Sequence, residues 1–133
     1  PLILRMNVNL AEHYGMCFGV RDALRATHDL ASSQPVTVLG QLVHNPVVDI
    51  HLNTLGVKRG NLNETPSAPT SKVVISAHGA SDSTKKAWKK AGYEVADTTC
   101  PLVRNAHRAL ECLALGGYSP VVVGEKNHTE VRG

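Results

Sequence analysis

Five short segments of this sequence carry side chains fit for chemistry: Cys17 in YGMCFGV, His44 in LVHNPVV, His78 in SAHGAS, Cys100 in DTTCPLV, and His128 with Glu130 in EKNHTEV. An imidazole can donate a hydrogen bond to a phosphate oxygen or ligate a metal. Cys17 and Cys100 each stand just ahead of a helix-like stretch, where unpaired N–H groups and the helix dipole favour the thiolate that binds metal. A lone cysteine is otherwise an inert buried thiol, and the residues leave both readings open for this pair. Ala77 to Ser81 places a glycine and a hydroxyl at a helix start, an arrangement that lets backbone N–H groups reach an anion. Glu130 is a candidate proton donor, if the site is partly desolvated.

These residues need elements to position them, and the hydrophobic pattern supplies a set. Apolar runs alternate with amphipathic stretches: Met6 to Leu10 then Gly19 to Ala31; Val36 to Leu39 then Pro46 to Leu55; Val73 to Ser76 then Ser81 to Ala91; Tyr93 to Ala96 then Pro101 to Leu115; and finally Val121 to Val123. Pro46 and Pro101 suit helix starts, and Gly56, Gly92 and Gly116 stand where a left-handed helix end is expected. The stretch Gly60 to Ser71 reads as an exposed loop. Repeated strand–helix units predict an α/β fold, a mainly parallel sheet with helices on both faces. Every reactive segment follows a predicted strand, so all five are expected on one rim, where the carboxyl ends of parallel strands form a ligand crevice.

Other cysteines and histidines have blander settings. Cys112 lies among Val103, Ala106, Ala109, Leu110 and Leu113, at the spacing of a buried helix face, and is expected in the core. His13, His28, His51 and His107 are read as structural or solvated; His107 sits two helical turns after Cys100.

Composition narrows the classes of partner. The chain has 133 residues, 42% of them hydrophobic, enough for one compact domain. Its net charge of +3 is concentrated at Lys85, Lys86, Lys89 and Lys90, which read as a solvated helix face. Aromatic residues make up only 4% and do not interleave with basic ones, which argues against nucleic acid. No apolar run is long enough for a membrane span, and PLILRMNVNL has no secretory-signal pattern, so a cytoplasmic location is expected, or the plastid stroma in a plastid-bearing organism. An odd count of three cysteines is a poor start for a disulfide framework.

The five segments together resemble the motifs of the 4-hydroxy-3-methylbut-2-enyl diphosphate reductase family, also called LytB or IspH. Gly15 to Val20 is similar to its first cysteine motif, Val43 to Asn45 and Ser76 to Gly79 to two histidine motifs, Thr99 to Val103 to its second cysteine motif, and His128 to Val131 to its third histidine motif with the catalytic glutamate. Thr129 departs from the proline often found there. The resemblance runs from Met6 to Gly133 and implies the first α/β domain, 6–100, and the start of a second, 101–133, of a three-domain architecture.

That resemblance implies an iron-sulfur reductase of isoprenoid biosynthesis, which removes the allylic hydroxyl of its diphosphate substrate to give isopentenyl and dimethylallyl diphosphates. It implies a four-iron, four-sulfur cluster on Cys17, Cys100 and a third cysteine outside these 133 residues, which Cys112 does not match. It also implies a diphosphate grip by His44, His78 and His128, proton delivery by Glu130, and an electron donor such as ferredoxin or flavodoxin. With one thiolate short, the 133 residues alone are expected to be inactive. Two other readings stay open: an anion-binding module that only keeps the histidine rim, and a small zinc domain, although no CxxC or HxxxH pair is present.

Overall fold

A computed structural model of the chain describes residues 6–63 and 65–132; the first five residues of PLILRMNVNL lie outside them. The elements run α1 (Phe18–Ser33), β1 (Val36–Leu39), α2 (Pro46–Thr54), β2 (Lys58–Gly60), β3 (Lys72–Ile75), α3 (Asp82–Lys90), β4 (Glu94–Asp97), α4 (Pro101–Leu115) and α5 (Thr129–Arg132). The four strands form one sheet in the order β2-β1-β3-β4, every pair parallel.

Side-chain alternation along the strands splits the core into two layers. Val36, Val38 and Val74 point to one face, where they meet Ala23 of α1 and Val48 and Leu52 of α2. Leu39, Val73 and Ile75 point to the other and pack with Trp88 of α3. The Trp88 ring meets Tyr93 nearly edge-on, with centroids 4.9 Å apart. Helices therefore cover both faces, as the pattern predicts.

This order also locates a crevice. From β1 the chain crosses through α2 to β2 on one side, then returns past β1 to β3 and crosses through α3 to β4 on the other. Since α2 and α3 lie on opposite faces, the loops leaving β1 and β3 diverge and open a gap between neighbouring strands. The loop after β1 carries His44, and the loop after β3 carries His78.

Several expected details differ. Met6 to Leu10 forms no strand, and Met6, Val8 and Leu10 are exposed. Val121 to Val123 forms none either, with Val121 and Val123 almost fully exposed. A β-prone run becomes a strand only beside a partner that takes its hydrogen bonds, and neither run has one among the described residues. Conversely, Lys58–Gly60 is an edge strand although it lacks an apolar run. At the end of α4, Gly116 keeps an ordinary φ of −75° and Gly117 takes the left-handed turn at 82°. Cys112 is exposed rather than buried, and α4 buries no residue. The apolar spacing is present, but no described element covers that face.

Candidate functional site

Asn45 begins α2 by accepting a hydrogen bond from the Val47 N–H at 3.0 Å, with Pro46 in the first turn. This cap fixes the residue next to His44. Gln41 lies just upstream; its amide nitrogen donates to Asp49 at 3.2 Å, which turns its oxygen toward His44 Nδ1, also at 3.2 Å. An amide oxygen can only accept, so Nδ1 of His44 carries the proton and Nε2 is left for other partners. In the neutral ring Nε2 is an acceptor, and protonation makes it a donor.

Gly79 makes the second loop possible. Its φ of +85° is one that other residues resist, and a Cβ there would lie 2.9 Å from Thr99 Cγ2. The loops after β3 and β4 are thus pressed together, and the Cys100 N–H donates to Ala77 O at 2.9 Å. Burial and the neighbouring His44 hold the His78 imidazole below its usual pKa; Glu130 opposes them and His128 adds to them.

Three imidazoles meet at this rim. The rings of His44 and His78 are 4.5 Å apart between centroids, and each is 6.1 Å from the ring of His128. His128 reaches them not from a strand end, as expected, but from a turn ahead of α5, where its Nδ1 accepts the Glu130 N–H at 3.3 Å. Its Nε2 therefore carries the proton. Glu130 is exposed on the same turn.

The cysteines sit at helix starts. Cys17 is the N-terminal cap of α1 and Cys100 that of α4, and neither side chain makes a capping hydrogen bond. Cys100 follows β4 as expected, whereas among the described residues no strand precedes Cys17. A Cβ on Gly19 would lie 2.5 Å from Cys100 Sγ, so only glycine lets the Cys100 thiol approach the first turn of α1 this closely. Cys17 is exposed and Cys100 partly so. Among the described residues no group of three or more His, Cys, Asp or Glu side chains is placed to hold a metal ion.

A LytB protein family model matches residues 8–133, nearly the whole chain. The chain belongs to the LytB family. A LytB relative from Aquifex aeolicus (strain VF5), named 4-hydroxy-3-methylbut-2-enyl diphosphate reductase, is 41% identical over 130 residues, covering 96% of this chain and 44% of that protein. One of the same name from Caldanaerobacter subterraneus is 34% identical, covering 96% and 46%. A solved structure of (E)-4-hydroxy-3-methyl-but-2-enyl diphosphate reductase, described as the terminal enzyme of the non-mevalonate pathway, superposes with a TM-score of 0.78 at 41% identity, over 92% of this chain and 44% of that one. The Plasmodium falciparum reductase superposes equally well at 31% identity, over 88% and 37%. The chain thus spans less than half the length of the LytB relatives it matches.

The LytB rim includes groups that sequence patterns missed. A cleft of about 180 Å³ beside His44 and His78 is also lined by Gln41, Arg59, Ser76 and Thr129. Arg59 comes from the polar edge strand β2, which carries no apolar signal. His107 of α4, read only as structural or solvated, donates from Nε2 to the Glu130 carbonyl at 2.9 Å. A larger cleft of about 410 Å³ lies between α3 and α4. There Lys85 pairs with Asp97 at 3.0 Å, and Arg104 lies 3.7 Å from the same carboxylate. Burial pushes the Asp97 carboxyl upward, but hydrogen bonds from Thr99 and Lys85 outweigh it and hold the group below its usual range. Among the described residues no helix is long and apolar enough to cross a membrane.

Proposed function

We propose that the chain is the first part of an iron-sulfur reductase that removes the allylic hydroxyl of 4-hydroxy-3-methylbut-2-enyl diphosphate, giving isopentenyl and dimethylallyl diphosphates. The observation that carries this reading is the convergence of three imidazoles, 4.5 to 6.1 Å apart, at a sheet crevice that also holds Arg59. Such a set offers several N–H donors to one polyanion without a dedicated metal. The names of the LytB relatives supply the substrate.

In this reading His44, His78 and His128 grip the diphosphate. His128 donates from Nε2 as a neutral ring, while His44, whose Nδ1 is engaged by Gln41, donates from Nε2 in its imidazolium form. Glu130, on the turn that presents His128, holds a proton at its carboxyl and passes it to the reacting end of the substrate. The overall change consumes two electrons and two protons and releases the hydroxyl as water.

Cys17 and Cys100 would hold the four-iron, four-sulfur cluster. The donor chemistry fits: both cap helix N-termini that favour thiolates, and Gly19 leaves room for the Cys100 sulfur. Two thiolates remain one short of the set implied by the family, and Cys112, exposed on α4, stands apart from them. When bound, the cluster supplies the electrons, which come from a donor such as ferredoxin or flavodoxin. We place the domain boundary at Cys100, with 6–100 as the first unit and 101–133 as the start of the second. The absence of buried residues on α4 supports that division.

Calorimetric titration of the 133-residue chain with pyrophosphate tests the rim. His44→Ala and His78→Ala are each expected to weaken binding about tenfold, the usual effect of losing a hydrogen bond to a charged group. Glu130→Gln should bind as well or better, because it removes a negative charge. Equal binding by wild type and both alanine variants would rule out the histidine grip.

A further inference from the structure

His128 and Glu130 lie on a turn that the chain reaches through an exposed stretch, with residues 116–127 all at the surface. What holds this turn against the rim must therefore come from contacts made by the turn itself. A side chain of α4 reaches it: His107 Nε2 stands 2.9 Å from the carbonyl oxygen of Glu130, a bond that spans 23 residues of sequence. Because a carbonyl only accepts, Nε2 of His107 must carry the proton. The N–H of Glu130 meanwhile donates to Nδ1 of His128. Both peptide groups flanking the Glu130 Cα are thus engaged, which fixes the direction of its side chain and the orientation of the His128 ring together.

We propose that His107 is a positioning residue that ties the His128–Glu130 turn to α4, the helix that begins at Cys100, and so sets one thiol and the rim's third imidazole in a common frame. Its significance for ligand binding rests on the diphosphate reading above. The tie itself does not.

The test uses the 133-residue chain. Long-range ¹H–¹⁵N spectra of the imidazoles should show His107 protonated at Nε2, and nuclear Overhauser contacts should join the His128 and His44 rings. His107→Gln, which retains an N–H at similar reach, should keep the ring contacts, and His107→Ala should lose them. Pyrophosphate affinity should fall about 3- to 10-fold in His107→Ala, the span expected for one hydrogen bond, and stay within about twofold in His107→Gln. In a His128→Ala background, His107→Ala should have no further effect. An Nδ1-protonated His107, ring contacts that survive in His107→Ala, or an equal affinity loss in the His128→Ala background would each overturn the proposal. If the wild-type chain binds no pyrophosphate, the diphosphate reading fails, and the tautomer and ring contacts still decide the role of His107.

Discussion

His78 is the rim residue whose protonation the fold resists most visibly, because it is half-buried and faces two other imidazoles. Its folded pKa lies below the ordinary 6.5, so between the two values the unfolded chain binds a proton that the folded chain refuses. The stabilisation is complete above about 6.5 and is lost as the pH falls through the folded value. Urea unfolding at pH 8 and pH 5.5 should therefore show a larger loss of stability in wild type than in His78→Gln; equal losses would mean that the ring is not desolvated as described. Saturating pyrophosphate should shrink the wild-type loss, since an anion on the rim favours the imidazolium. His44 and His78 were legible in the sequence because each stands in the loop that follows a buried strand, β1 or β3. His107 was not, because its partner lies 23 residues away and no periodicity encodes that contact.

At the scale of elements, the loops bearing the histidines are only as fixed as the helices that follow them. α2 is held by the Asn45 cap and by Val48 and Leu52 in the core, and α3 by the Ser81 cap and Trp88. Trp88 is almost completely buried and is the one buried residue of α3. Trp88→Ala should cost about 3–5 kcal/mol, and Asn45→Ala about 1 kcal/mol, both measured by chemical denaturation. A Trp88→Ala cost no larger than that of Asn45→Ala would show that the second core layer is not what anchors α3. The sequence revealed these helices well, down to the limits of α4, since proline starts and apolar periodicity agree there. It failed where burial rather than pattern decides: β2 is polar yet takes hydrogen bonds from β1, while Met6 to Leu10 and Val121 to Val123 are apolar yet have no described partner. Cys112 belongs with them, because apolar spacing predicts a core position only when something packs on that face.

At the scale of the whole molecule, the rim and the thiols differ in how complete they are. The histidine rim is assembled within this chain, since all three rings meet there. For the thiols the proposed cluster reading implies otherwise: it asks for a third cysteine besides Cys17 and Cys100, and the chain covers 44% of its Aquifex relative. A cubane cluster held by two thiolates leaves two irons without protein sulfur, open to water and oxygen. Anaerobic reconstitution of the 133-residue chain should therefore give fewer than four irons per chain, with the bound iron and sulfide declining on exposure to air. Supplying the remaining portion of a LytB protein, fused or in trans, should raise the iron and sulfide content to four each. Cys17→Ser and Cys100→Ser should each abolish the residual iron, whereas Cys112→Ser, altering an exposed thiol on α4, should leave it unchanged. Four stable irons on the 133 residues alone would mean that two thiolates suffice; iron lost with Cys112→Ser but kept with Cys17→Ser would mean that the wrong pair was chosen. The rim should be indifferent to all three substitutions in the metal-free chain, because its imidazoles are held by Gln41, Gly79 and His107 rather than by sulfur, so pyrophosphate affinity provides the internal control that separates a lost ligand from a lost fold.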